Sequence, residues 1–139
     1  MTLTQLDYIF IAVLATLMLL LVGLIIYRKR PGKLKPQKYH GKWQDIQKLC
    51  ADKEKWPEVL LEADALLGRA LKKRKYKGKS FGERLVSAQR DLSDNDGVWF
   101  GHKLAKKVAE DKTTKLKKND VKDALLGIRR ALKDLGALK

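Results

Sequence analysis

The sequence predicts an all-α protein, in which one N-terminal transmembrane helix precedes a small cytoplasmic bundle of four to five helices. Residues 8–27 form an apolar run without charge, and apolar residues recur every three or four positions after residue 42. No segment alternates between apolar and polar residues as a half-buried strand does. The predicted parts are a short extracytoplasmic N-terminus (1–7), the membrane helix (8–27), a basic linker (28–42) and the helical domain (43–139).

The apolar run from Tyr8 to Tyr27 has the length of a membrane span. Its twenty residues, of which only Thr16 is distinctly polar, would extend about 30 Å as a helix, which is the thickness of a hydrocarbon core. The tyrosines at its two ends suit the membrane interface. A cleavable signal peptide would have basic residues before its apolar core, and residues 1–7 contain none. We therefore expect an uncleaved anchor.

The charges beside the run predict its orientation in the cytoplasmic (inner) membrane. Asp7 precedes the run, while Arg28, Lys29 and Arg30 follow it. Because cytoplasmic flanks are enriched in Lys and Arg, the N-terminus is expected outside and the C-terminal domain in the cytoplasm. The single cysteine, Cys50, cannot form an internal disulfide, which fits a reducing compartment.

The linker is predicted to be an extended, basic tether. Residues 28–42 contain seven basic residues and no acidic one. Helix formation is disfavoured by its prolines and glycines, which are Pro31, Gly32, Pro36 and Gly41. Near an anionic leaflet each basic residue contributes about 1 kcal/mol of attraction. The simpler alternative is that these charges only set the topology, with His40 remaining solvated.

Two helices are predicted at the start of the domain. A short helix from Trp43 to about Ala51 would place Trp43, Ile46, Gln47 and Cys50 on one face. A second helix spans residues 56–71, with Pro57 in its first turn, where the missing N–H is harmless. Its continuous apolar stripe comprises Trp56, Val59, Leu60, Ala63, Leu66, Leu67, Ala70 and Leu71.

Three further helices complete the predicted bundle. Ser80 and Glu83 have capping-box spacing for a third helix with Phe81, Leu85, Ala88 and Leu92 inward. Residues 93–97 form a turn, and a fourth helix begins near Val98. Asn119 is predicted to cap the last helix, and Gly136 to follow its end. The inward stripe of the last helix comprises Val121, Ala124, Leu125, Ile128, Leu132 and Leu135.

The charge balance predicts an anionic partner, which could be lipid headgroups, nucleic acid or an acidic protein surface. All 31 Lys and Arg residues but only 15 of the 16 acidic residues lie after residue 27, which gives that part a net charge of +16. Residues 72–79 hold six bases and residues 103–118 hold seven. In an up-down bundle these segments would lie at one end, where they could form one patch. The candidate contacts with anionic lipid or nucleic acid are Arg28, Lys29, Arg30, Lys72, Lys73, Arg74, Lys75, Tyr76, Lys77 and Lys79.

Tyr76 is the one aromatic residue in the basic segment, and a base could stack on it. The alternative is a solvated lysine-rich loop. No catalytic, cofactor or metal site is expected, because the two histidines are isolated and no Cys/His pair has ligand spacing. Asp94 and Asp96 resemble the start of a calcium loop that no glutamate closes. Cys50 and His102 are expected to be packed, structural side chains rather than a nucleophile pair.

Four fragments of the domain stand out, namely residues 56–64 (WPEVLLEAD), 82–85 (GERL), 98–103 (VWFGHK) and 108–109 (VA). They resemble a family of small helical domains that is found in reduced-genome bacteria and often follows a membrane helix. That family is similar to the HEPN superfamily, whose active members are ribonucleases with an Arg-Asn-x-x-x-His motif. The resemblance covers residues 43–136 and implies a helical bundle and dimerisation through its helices.

The motif positions of those ribonucleases are not matched. Aligned from Trp99 and His102, they hold Ala105, Lys106 and Glu110. Alanine cannot stabilise a phosphorane, and glutamate repels a phosphodiester. The sequence therefore favours a non-enzymatic, membrane-anchored interaction or scaffold protein, with a protein partner or a second copy bound by the bundle. The alternative is a membrane-tethered nucleic-acid binder, and a HEPN-like ribonuclease is the third, disfavoured hypothesis.

Overall fold

The computed structural model describes residues 4–139, which are helical and contain no strand. The chain divides into two compact units, one that extends to Pro31 and one that comprises Gly32–Lys139. The described residues form six α-helices: α1 (Gln5–Lys29), α2 (Pro36–Leu49), α3 (Trp56–Lys73), α4 (Phe81–Ser87), α5 (Asn95–Glu110) and α6 (Lys118–Asp134). Helix α1 constitutes the first unit, and α2 to α6 form a bundle, as predicted.

Helix α2 begins earlier than the sequence predicted. Residues 28–42 are not an extended tether throughout, because the helix starts at Pro36 instead of Trp43. Pro36 occupies the first helical turn, where its missing N–H costs no hydrogen bond. Tyr39 continues the buried stripe of Trp43 and Ile46 by one turn and anchors the added segment in the core. The domain therefore starts within the predicted linker.

Helix α3 is the centre of the bundle. It begins at Trp56 as predicted and continues to Lys73, two residues beyond the predicted end. The whole predicted stripe apart from Trp56 is buried, namely Val59, Leu60, Ala63, Leu66, Leu67, Ala70 and Leu71. Trp56 instead donates its Nε1 hydrogen to the carbonyl of Cys50 at 2.9 Å, which ties the start of α3 to the end of α2.

The positions of contacts along α3 define the direction of its neighbours. Leu60, near its start, packs with Val108 late in α5 and with Val121 early in α6. Asp64, one turn further, meets His102 of α5. Helix α5 therefore runs antiparallel to α3, whereas α6 runs parallel to it.

Helix α4 explains why the two basic loops do not form one patch. With seven residues it extends about 10 Å, far less than the eighteen residues of α3. The chain therefore does not return along the bundle before α5 starts, and α5 leaves from the end at which α3 finishes. Consequently the loop after α5 lies at the opposite end, where its Leu116 packs against the buried cluster that contains Leu60. The prediction of a single patch is wrong.

The helix starts differ in detail from their predictions. Ser80 accepts the backbone N–H of Glu83, but the Glu83 carboxylate accepts from Lys79 instead of completing the box with Ser80. Helix α4 then ends at Ser87, and Gln89–Asp91 form a separate 3₁₀ turn. Helix α5 starts at Asn95, before the predicted Val98, because Asp94 caps it through the N–H of Gly97.

Helix α6 begins at Lys118, and its N-cap residue, Lys117, makes no side-chain hydrogen bond. The predicted cap, Asn119, therefore lies inside the first turn. At the other end the prediction for Gly136 is confirmed. Gly136 has a φ of +83°, its N–H donates to Lys133, and the N–H of Ala137 donates to Leu132. These two bonds form a Schellman motif.

Helix α3 ends in the same motif but without glycine. The N–H groups of Lys75 and Tyr76 donate to the carbonyls of Lys72 and Leu71, and Lys75 has a φ of 61°. A residue with a Cβ is disfavoured in this left-handed conformation by about 1 kcal/mol. The structure tolerates the strain because Tyr76, which follows it, packs against the main core. This core is the larger of two buried clusters in the bundle, and its members include Tyr39, Trp43, Val59, Leu67, Leu85 and Leu132.

Replacing Lys75 by glycine is therefore expected to stabilise the domain by about 1 kcal/mol. The measurement is urea unfolding of the full chain in detergent, followed by tryptophan fluorescence, since all three tryptophans lie outside α1. Lys75→Ala is the control, because it removes the same charge and retains the Cβ. Equal stability of the Gly and Ala variants would show that backbone strain is not the cause.

Candidate membrane anchor and basic surface

Helix α1 is long and apolar enough to cross a membrane. Its 25 residues contain a stretch with mean hydropathy 3.1, and none of that stretch is buried against protein. A core helix of a soluble domain would bury at least one face. The apolar side chains of α1 are instead exposed all round, which is the distribution that suits a lipid environment.

The polar groups within α1 are satisfied locally. Thr4 accepts the N–H of Asp7, and the Asp7 carboxylate accepts the N–H of Thr4 at 2.9 Å, which completes a capping box. In the middle of the helix the Thr16 hydroxyl donates to the carbonyl of Ala12 at 2.8 Å. The one distinctly polar side chain of the predicted span therefore needs no partner outside its own helix.

The second unit begins with a close backbone contact at Gly32. Its N–H donates to the carbonyl of Lys73, the last residue of α3, at 3.2 Å. A Cβ at position 32 would overlap that same oxygen, so only glycine fits. Leu34 packs against the main core two residues later. Only Arg30 and Pro31 therefore remain as a linker between α1, which ends at Lys29, and Gly32, the first residue that is hydrogen-bonded to the domain.

The hydrogen bond of Gly32 brings two basic segments of the domain to one end. Lys72 and Lys73 lie in the last turn of α3, Arg74 is its C-cap, and the remaining residues of the predicted site up to Lys79 follow in the loop. The segment that leads into α2 and the first turn of α2 add exposed lysines that were not among the candidate residues, namely Lys33, Lys35 and Lys38. We call these residues, 33–38 and 72–79, the basic end. Arg28, Lys29 and Arg30 belong to the first unit.

One apolar residue could have revealed this arrangement. Leu34 stands alone among the charges of the linker, five residues before Tyr39. In a solvated tether both apolar side chains would be exposed to water, whereas a segment that packs against the domain buries them. Leu34, Tyr39, Trp43 and Ile46 all join the main core.

Tyr76 is not free to stack on a base. Its ring packs against the main core, and its hydroxyl donates to Asp91 at 2.6 Å. Burial, followed by the hydrogen bond and charge of Asp91, raises the pKa of Tyr76 above its ordinary value. The ring is therefore part of the fold, and the basic end offers charge without an available aromatic platform.

Asp134, at the end of α6, and Asp94, which caps α5, are engaged in hydrogen bonds. Asp134 accepts the backbone N–H and the hydroxyl of Ser93, both at 2.8 Å. Asp94 caps α5 and pairs with Arg130 at 2.9 Å, and these contacts lower the pKa of its carboxyl, the N–H of Gly97 most strongly. These carboxylates stabilise helix ends and connections.

His102 is a packed, hydrogen-bonded histidine, as predicted. Its ring stacks on Phe81 with centroids 4.0 Å apart and an angle of 7° between the planes. Its Nδ1 lies 3.0 Å from an oxygen of Asp64. Trp99 meets the ring edge-on at 6.1 Å. The side chain thereby joins α3, α4 and α5.

Cys50 is a partly buried thiol at the end of α2. Its Sγ donates to the carbonyl of Ile46 at 3.4 Å, and burial raises its pKa.

We expect the alkylation of Cys50 at neutral pH to be slower than that of glutathione, because less of the thiol is present as thiolate. The pH at which the rate is half-maximal should be shifted upward for the same reason. The measurement is the rate of iodoacetamide labelling from pH 7 to 10, by mass spectrometry. A rate equal to that of glutathione would contradict burial of the thiol.

Residues 4–139 contain no group of three or more His, Cys, Asp or Glu side chains placed to hold a metal ion. Asp94 and Asp96 belong to the cap and first turn of α5. No protein-family model matches the chain, and the searches of curated proteins and of solved structures also give no match.

Proposed function

We propose that the protein is a single-pass component of the cytoplasmic membrane that holds a non-enzymatic, basic helical domain at the cytoplasmic face. The observation that supports this most strongly is the contrast between α1, which buries no residue, and the bundle, which has its own core. Helix α1 therefore requires an apolar surrounding, whereas the bundle does not.

We also propose that the basic end binds anionic lipid headgroups. Only Arg30 and Pro31 separate the last residue of α1 from Gly32. Three Cα–Cα steps extend at most about 11 Å, whatever angle the two units adopt. Gly32 is bonded to the end of α3, so the lysines of that end stay near the lipid surface. There each contributes about 1 kcal/mol.

The test compares the two ends of the domain in nanodiscs. The full chain with Cys50→Ser carries a donor dye at Gln37→Cys, at the basic end, or at Asn119→Cys, at the start of α6. Energy transfer to a headgroup dye is expected to be higher from position 37. The difference should grow when phosphatidylglycerol replaces part of the phosphatidylcholine and shrink in high salt.

Replacing Lys72, Lys73 and Lys77 by glutamine is expected to weaken this lipid-dependent approach by roughly 100-fold as an equilibrium constant. The matched control replaces Lys103, Lys106 and Lys107 of α5. If the two triple variants behave alike, the lipid proposal fails. Strong binding of DNA or RNA in competition with the vesicles would instead favour the nucleic-acid hypothesis, and its salt dependence would measure the phosphate contacts.

A further inference from the structure

Two exposed helix faces of the bundle have apolar centres and opposite charge. The first is the acidic face of α3, which comprises Glu58, Leu61, Glu62 and Ala65. These residues line one shallow groove, together with Glu54 from the preceding 3₁₀ turn, Pro57 from the first turn of α3, and Lys112. Glu58 and Glu62 are one helical turn apart, and Leu61 and Ala65 lie on the same side of the helix because they are three residues after each glutamate. This face suits a ligand with an apolar side chain between two cations.

The second is the basic face of α6, which comprises Lys122, Leu126, Arg129 and Lys133. These positions share one side of the helix because they are four, three and four residues apart. Leu126 is 38% exposed, although it lies in the middle of the helix. The groove beside it is lined by α2 and α6 and shares no residue with the groove on α3. Both faces can therefore be occupied at the same time.

The two faces lie at the same level along the bundle. Helices α3 and α6 run in the same direction, and Leu60 of α3 belongs to the same small buried cluster as Val121 and Ala124 of α6. The turn Glu58–Glu62 is therefore level with the turn Lys122–Leu126. A neighbouring copy in the same orientation would present its α6 face at the height of the acidic groove.

We infer that the acidic face of α3 in one copy binds the basic face of α6 in a second copy. Leu126 would rest on Leu61 and Ala65, with Glu58 and Glu62 facing Lys122 and Arg129. This inference rests on the proposed function, because copies anchored in one membrane share an orientation and are related by rotation about the membrane normal or translation within its plane. The contact is heterologous, so each copy has both faces to offer and rings or rows result.

The expected affinity between two copies is too low for assembly in solution, but it is sufficient for assembly within a membrane. Exposed ion pairs contribute little each, and one leucine on a shallow groove buries a small area. Confinement by α1 raises the effective concentration of neighbours, which converts weak contacts into populated ones. Assembly should therefore depend on membrane anchoring and weaken at high salt.

The test is cross-linking between two different single-cysteine chains. In a Cys50→Ser background, full-length Ala65→Cys and Leu126→Cys chains are reconstituted together in vesicles and treated with a short bis-maleimide. The mixture is expected to give the mixed dimer at least tenfold above either chain alone. Replacing the Ala65→Cys chain by Lys106→Cys, exposed on α5, is the control and should remove the product.

Charge reversal provides a second arm with the same vesicles. Glu58→Lys with Glu62→Lys in the Ala65→Cys chain should reduce the product at least tenfold, and Lys122→Glu with Arg129→Glu in the Leu126→Cys chain should restore it. Efficient cross-linking within one chain type, a mixture no better than the control, or failed restoration would overturn the inference. Resistance to carbonate extraction, measured in parallel, tests anchoring separately: an extracted chain refutes the proposed function, while an anchored chain without the mixed dimer refutes only this inference.

Discussion

Replacing Gly127 by alanine is expected to destabilise the bundle by about 3 kcal/mol, or to lower its melting temperature by roughly 12 °C. A Cβ on Gly127 would overlap the carbonyl group of Gly97, the turn at which α5 begins, and would approach the N of Val98. Both are backbone atoms, which cannot move aside by changing a rotamer. Helices α5 and α6 must therefore separate, and the buried contacts between them are lost.

Gly41→Ala is the matched control for this substitution. Gly41 lies in α2, and nothing stands within 4 Å of the position that its Cβ would take. Alanine there should stabilise the helix by about 1 kcal/mol, because glycine loses more backbone entropy on folding. Thermal unfolding of both variants in detergent, followed by tryptophan fluorescence, measures the contrast. Two shifts of the same sign would contradict the close approach of α5 and α6.

Placing arginines at Leu17 and Leu20 is expected to move the chain from the membrane fraction to the soluble fraction. Both positions lie near the middle of the apolar run, where each arginine costs about 3 kcal/mol of insertion free energy. Two therefore cost roughly 6 kcal/mol, which is about a 10⁴-fold change in the insertion equilibrium. Within the described residues α1 buries none of its side chains, so burial in the fold would not shield these charges from the lipid.

The control is alanine at the same two positions, which shortens the side chains and leaves the run apolar. That variant should remain resistant to alkaline carbonate extraction, while the double arginine variant should not. The bundle of the arginine variant should stay folded, as measured by tryptophan emission, because α1 contributes nothing to its core. If the domain unfolded together with the loss of insertion, the two units would not be independent.

The predictions that succeeded depended on apolar periodicity. Helix α3 has seven buried positions at helical spacing, and its start was predicted at the residue where it lies. The predicted extended linker is wrong from Pro36 onward, because proline and glycine oppose a helix strongly only at some positions. Pro36 stands in the first turn and Gly41 on an exposed face, and at both places the penalty is small.

The lysine content of the basic end could be predicted from the sequence, but the spatial grouping of its residues could not. Its lysines are visible in the sequence, yet their grouping depends on two facts that the residue pattern does not state. One is that α4 is too short to return along the bundle, which separates the loops at 72–79 and 111–117. The other is the hydrogen bond between Gly32 and Lys73, which pins the start of the domain to the end of α3.

The most direct test of the account is protease protection of the full chain in oriented membrane vesicles. In inside-out vesicles from the cytoplasmic membrane, trypsin should digest the lysine-rich domain and leave a small, carbonate-resistant fragment that contains α1. In right-side-out vesicles the domain should remain intact until detergent is added. Digestion in intact right-side-out vesicles, or release of the untreated chain by carbonate, would contradict the proposal that α1 holds this domain at the cytoplasmic face.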